Sequence, residues 1–421
     1  MDFSPDRIRL IASLAFNFVS KIPGIVAIFV ILPLVSRGLG TSAYGELLSA
    51  LALGSAFTLP FGGINAVGRR LLAGAVGAQD RTQQASVFVT TTFLMAAVAA
   101  SAGVVMVSVT GHSWSTPVFI LISLLPILAN LCNVFDNMRA SFNEHYVTAL
   151  LQLLFQSSIY AAAYIMGLPK GNVVLAGLTL QSPFILASLA TAVILLFQRP
   201  FLIAGRVTGL RAMLLPAVGV MLADGALGFS LNLSVYWLKF SGNTEMAAWV
   251  GTFARLFQSF MSPVLLIMFP ITSYISMRWG SMPSARQAGL HKLFILIGLG
   301  YGCIVGAAMG FGGPLYIDHM FKLSVRGDST DVWALSLFMG AVIAQKAYTM
   351  LLYAVSEARF ISYGTAIVSV LGVASAAFAS RWLPPARVID VLFAFMGCTL
   401  PVLLLIGGYR YQRVSRAASV D

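Results

Sequence analysis

The sequence predicts an all-α polytopic membrane protein. About 12 transmembrane helices would form two pseudo-symmetric six-helix lobes around a central cavity. Three observations support this. Hydrophobic residues make up 58% of the 421 and the mean hydropathy is +0.88. Charged residues are only 10%, against about 25% in soluble domains. The apolar residues also come in runs of ~20 or more without period-two alternation, whereas barrel strands need only ~9–11 alternating residues.

Twelve such runs follow in order: 10–36, 44–68, 84–109, 116–138, 147–167, 172–197, 212–238, 246–271, 290–313, 332–355, 361–380 and 388–408. The first follows MDFSPDRIRL, whose two arginines resemble the charged region of a signal peptide. The run is too long for one, contains Lys21 and has no clear small-residue cleavage site, so it reads as a retained span. Pro23-Gly24 can bend that helix, for gating or for packing. The connections are short. The longest outer one, Pro314–Asp331, has room for only a short segment, which weighs against a membrane-bound transferase or ATPase. No Walker A, GxSxG or paired catalytic carboxylates occur, and the chain reads as a non-enzyme.

The connection at 198–213 splits the chain into an N-terminal lobe, 1–204, and a C-terminal lobe, 205–421, each with six spans. At an offset of 202 residues Arg9 aligns with Arg211, Arg37 with Lys239 and Gly40 with Gly242. Pseudo-symmetric halves are common in secondary transporters, with the substrate site between them.

Charge sets the expected orientation. With a cytoplasmic N-terminus, 16 of the 26 Lys and Arg fall on the inner side, seven on the outer side and three within spans. Both termini are then cytoplasmic. The net charge of +12 is thus a property of inner loops, not a nucleic-acid footprint. Cys132, Cys303 and Cys398 lie in or beside apolar runs and read as small buried hydrophobes. His112, His145, His291 and His319 scatter across predicted loops without ligand spacing, so no metal site is expected.

Four charges stand inside the spans. Lys21 lies about 11 residues into the first run, near the middle of a ~30 Å hydrocarbon core. A charge there costs at least ~2.5–3.5 kcal/mol unless it meets protein, water or a partner. Asp224, Arg255 and Lys346 repeat the pattern. Lys21, Arg255 and Lys346 against Asp224 leave about +2, the sign that attracts phosphate. Plainer readings stand beside this one. Lys21 and Asp224, at similar depths, fit a structural pair joining the lobes; Arg255 and Lys346 fit snorkelling side chains; Asp136, near a helix end, fits a solvated terminus. Asn17, Asn65, Asn130, Asn133, Gln152, Gln156, Asn232 and Gln258 are polar positions within or near spans. They suit either a sugar-binding cavity or hydrogen bonds between helices.

A family pattern begins at Pro33, twelve residues after Lys21. Pro33, Arg37, Leu39, Gly40, Tyr44, Gly45 and Arg69 follow the order Pro, R-x-L-G-x-x-x-Y-G, second helix, Arg. This resembles the polysaccharide-exporter and O-antigen flippase branch of the multidrug/oligosaccharidyl-lipid/polysaccharide (MOP) exporter superfamily. A degenerate echo, Asn232–Phe260, places Asn232 where many members carry an acid and Arg255 at a recurrent basic position. The resemblance implies a multi-pass protein of the bacterial inner membrane. Such a protein flips an undecaprenyl-pyrophosphate-linked oligosaccharide outward by alternating access, for O-antigen, capsule or exopolysaccharide synthesis. Lys21, Arg255 and Lys346 would contact the anionic linker, with Asn17, Asn65, Asn232 and Gln258 as further cavity residues. Asp224 would be the coupling site or the partner of Lys21. No cofactor is implied beyond a proton or sodium gradient. Partners would be the lipid-linked substrate, membrane lipid, and polysaccharide polymerase and chain-length proteins, with no nucleic acid. Two alternatives remain: another exporter of the same superfamily moving drugs or small molecules, and a membrane polysaccharide polymerase or ligase.

Overall fold

A computed structural model describes residues 5–110, 117–142, 144–168, 171–222, 226–279, 282–354 and 359–417. Among these residues the secondary structure is helical, without strands. Among the described residues nine helices are long and apolar enough to cross a membrane, and a tenth span counts if one bent pair is joined. The chain divides into two compact units, Met1–Met221 and Leu222–Asp421.

The first unit opens with α1 (Pro5–Val26), a π-helical turn (Ala27–Ile31) and α2 (Leu32–Leu39). Pro23 lies inside α1. Its ring cannot donate to the turn before it, and the wider π turn four residues on relaxes the helix. α3 (Thr41–Ala56) and α4 (Leu59–Gly77) form the bent pair, at 47°. They are followed by α5 (Arg81–Thr110), α6 (Pro117–Ala140), α7 (His145–Ile165), α8 (Val173–Gln198) and α9 (Leu210–Val220). Side chains close the ends where backbone groups run out of partners: Asn172 Oδ1 accepts the Leu175 N–H at 3.0 Å and caps α8. α9 packs on α4 so closely that a Cβ added at Gly63 would meet the Ala217 carbonyl at 2.2 Å.

The second unit comprises α10 (Ala226–Phe240), α11 (Thr244–Arg278), α12 (Ser284–Phe321), α13 (Ser329–Ala354), α14 (Arg359–Ala379) and α15 (Pro385–Ala417). α12 is its backbone. Gly298, Gly302, Gly306 and Gly310 repeat every four residues on α12 and meet Ala344, Gly340, Ser336 and Trp333 of α13. With no hydrophobic drive between helices in lipid, small residues let backbones approach closely and gain dispersion instead.

Three sequence expectations change here. The ninth span ends near residue 313 by hydropathy, yet α12 runs on through Pro314 to Phe321. Its extra turns bury Ile317 and Phe321, so the long outer connection shrinks to a few residues. Helix ends follow packing, whereas hydropathy ends where the polar residues begin. His291 and His319 sit in α12 and His145 opens α7, rather than lying in loops, while His112 lies outside the described residues. Cys132 is buried as expected, but Cys303 and Cys398 are exposed on apolar helices. The glycines aligned at the 202-residue offset share a positive φ: Gly40 has φ +78° after α2 and Gly242 has φ +82° after α10. Only glycine reaches that region without strain.

Candidate functional site

Lys21 is half-buried on α1. Its Nζ donates to Gln152 Oε1 of α7 at 3.4 Å, a long contact. The other charge acting on Lys21 is Asp136 of α6. Ser188 of α8 donates to Asp136 Oδ2 at 2.5 Å, and Gln152 and Thr191 also face the carboxylate. Its second oxygen, Oδ1, has no hydrogen-bond partner. Four helices of one unit therefore bring an ammonium, a carboxylate, an amide and two hydroxyls together.

Asp136 is only 7% exposed, so the reading of it as a solvated helix end is corrected. The last turn of α6 is covered by an ionic cluster. Glu144, at the start of α7, binds Arg139 Nη2 at 3.1 Å and Arg199 Nη2 at 2.5 Å. Arg139 Nη2 also donates to Gln198 at 2.9 Å, and the Arg199 guanidinium lies 4.1 Å from the centre of the Phe142 ring. Arg139 and Arg199, which the charge count assigns to one side, meet at one end of this unit.

Asp224, expected to pair with Lys21 or to couple transport, lies outside the described residues. The same holds for the side chain of Asn17, although its backbone belongs to α1. Asn65 is buried on α4 with Oδ1 unpartnered. In the second unit Arg255 is half-buried on α11, and Gln258, one turn further, is exposed. Asn232 on α10 and Lys346 on α13 are half-buried. Arg255 and Lys346 stand on helices that pack together. The structure brings Lys21 to Gln152 and Asp136, which sequence reasoning did not join. Their separation along the chain, 131 residues for Lys21 and Gln152, hides the contact. The usable signal was on α7, where Glu144, Thr148, Gln152 and Gln156 recur every four residues.

No family model matches the chain, and no curated protein matches it. Solved structures do. An inward-facing multidrug resistance MATE family transporter of the MOP superfamily aligns with TM-score 0.66 and 14% identity, over 97% of this chain and 98% of that one. A MATE structure in complex with MaL6 aligns with TM-score 0.60 and 15% identity, over 98% and 96%. A MOP superfamily transporter from Pyrococcus furiosus aligns with TM-score 0.62 and 15% identity, over 97% and 96%. That protein is described as having a binding pocket of reverse polarity that suggests a different function. The chain thus shares, over nearly its whole length, the fold of MATE transporters of the MOP superfamily.

Proposed function

We propose that this protein is a flippase of the bacterial inner membrane, moving an undecaprenyl-pyrophosphate-linked oligosaccharide from the cytoplasmic to the outer leaflet. The observation that carries the reading is Lys21. Its half-buried ammonium has three N–H donors and makes one long hydrogen bond. It keeps donors for a phosphate oxygen, and a buried charge persists in a membrane helix only when it has a task or a partner. Arg255 and Lys346 add positive charge in the second unit. The sugar, pyrophosphate and lipid of such a substrate need polar, cationic and apolar surroundings in turn.

Asp136 and Asp224 are the carboxylates available for coupling to a proton or sodium gradient. Asp136 also counterbalances Lys21 when no anion is bound. A transporter of similar fold is described by a binding pocket of reverse polarity that suggests a different function, and this reading likewise rests on the polarity of the pocket. The test is cellular. Lys21→Ala should make undecaprenyl-linked repeat units accumulate inside cells, and Lys21→Arg should relieve this, at equal protein level in the membrane. Normal export by Lys21→Ala would reject the assignment.

One observation favours a second reading, a cation or drug exporter: Asp136 Oδ1 is buried and unpartnered, as a cation site would need. That reading requires Asp136→Asn to abolish efflux of a cationic dye while Lys21→Ala leaves it intact.

A further inference from the structure

Five buried polar atoms of the first unit lack hydrogen-bond partners along one seam. They are Asp136 Oδ1, Arg139 Nε, Arg139 Nη1, Thr148 Oγ1 and Gln156 Oε1. Their residues are at most 9% exposed. On α7 the polar positions Glu144, Thr148, Gln152 and Gln156 step by four. Each step turns about 40°, so the stripe winds ~120° around the helix between Glu144 and Gln156. It begins beside Arg139 and Arg199. It ends against α1, where Gln152 meets Lys21 and Gln156 Oε1 lies 3.4 Å from where a Gly24 Cβ would be.

Each orphaned buried donor or acceptor carries a desolvation cost, and five together would rival the net stability of a fold. Native proteins meet such costs with ordered water, which bonds two to four polar groups at once. Arg139 Nε and Nη1 donate from opposite sides of the guanidinium, so they would need separate water oxygens. We infer that the first unit holds an internal water path between α1, α6, α7 and α8, running from the Glu144–Arg199 end to Lys21 and Asp136. The charged and titratable groups facing it are Lys21 on α1, Cys132, Asp136 and Arg139 on α6, Glu144 at the start of α7, and Arg199 after α8. Such a path gives Asp136 aqueous contact with one side of the membrane, whichever solute is carried.

Cys132 reports on the path without mutation: it is 5% exposed and one helical turn from Asp136. X-ray hydroxyl-radical footprinting of the full-length protein in membranes generates radicals from water itself. With each rate taken relative to that of the same sulfur in the unfolded protein, Cys132 should oxidise at least about tenfold faster than Met95 of α5, a buried sulfur off the seam. Thr148→Leu, confirmed monodisperse, should bring Cys132 down to the Met95 rate, with Gln156→Leu as the substitute if that variant does not fold. A Cys132 rate equal to that of Met95 in the wild-type protein would overturn the inference. So would a Cys132 rate unchanged by a folded seam variant. Neither readout involves a transport substrate, so this inference and the flippase reading fail separately.

Discussion

The α12–α13 crossing makes a sharp prediction about stability. A Cβ added at Gly302 would lie 2.3 Å from the Gly340 carbonyl oxygen, and one added at Gly340 would lie 2.6 Å from the Gly302 carbonyl oxygen. Unstrained carbon contacts are ~3.5–4.0 Å, so Gly302→Ala forces the two backbones apart by about 1 Å. Neighbouring contacts at Gly298 and Gly306 lose their dispersion as well. Overpacking of this kind costs ~1–3 kcal/mol. Gly300, on the same helix, has no atom within 4 Å of an added Cβ. Gly300→Ala should therefore be neutral, or gain up to ~1 kcal/mol from helix propensity. Reversible unfolding of both variants by SDS titration in mixed micelles separates them. Equal stabilities would show that close backbone approach is not what joins α12 to α13.

Other consequences follow from the charged and capped ends. Glu144→Ala removes the carboxylate shared by buried Arg139 and Arg199, and should cost ~3–5 kcal/mol by stranding a buried charge, read in the same titration. Asn172→Ala deletes the α8 cap and should cost ~1 kcal/mol. Arg387 binds Asp328, Asp331 and Asp390. Backbone N–H groups, with that of Asp331 foremost, hold the Asp328 carboxyl below its ordinary range, and Arg387 adds to this. The folded-state value is depressed, so the stabilisation is present above the unfolded value near 4 and fades as pH falls through the lower folded one. Arg387→Ala should flatten that acid limb of the stability–pH curve.

The helical architecture was legible because bilayer thickness imposes a length on every apolar run. α1 continues through Pro23 to Val26, and the π turn follows at Ala27–Ile31. Gly40 and Gly242 were readable as paired turns because only glycine accepts their positive φ without strain. The α12 glycines were equally readable at their spacing of four, but hydropathy counts them as merely apolar. Asp136 was misjudged because the groups around it, Lys21 of α1 and Ser188 and Thr191 of α8, lie far along the chain. A buried polar cluster is a long-range property. The sequence shows its members as stripes on separate helices, and only the fold brings α1, α6, α7 and α8 into one set of contacts.

The central claim is that Lys21 serves an anionic lipid-linked cargo. It is tested most directly with purified protein in liposomes loaded with undecaprenyl-pyrophosphate-linked repeat units on the inner leaflet. Appearance of the sugar at an external glycosidase measures translocation. The account predicts protein-dependent translocation that Lys21→Ala abolishes and Lys21→Arg retains. Translocation equal in wild type and Lys21→Ala, or no faster than in empty liposomes, would contradict it.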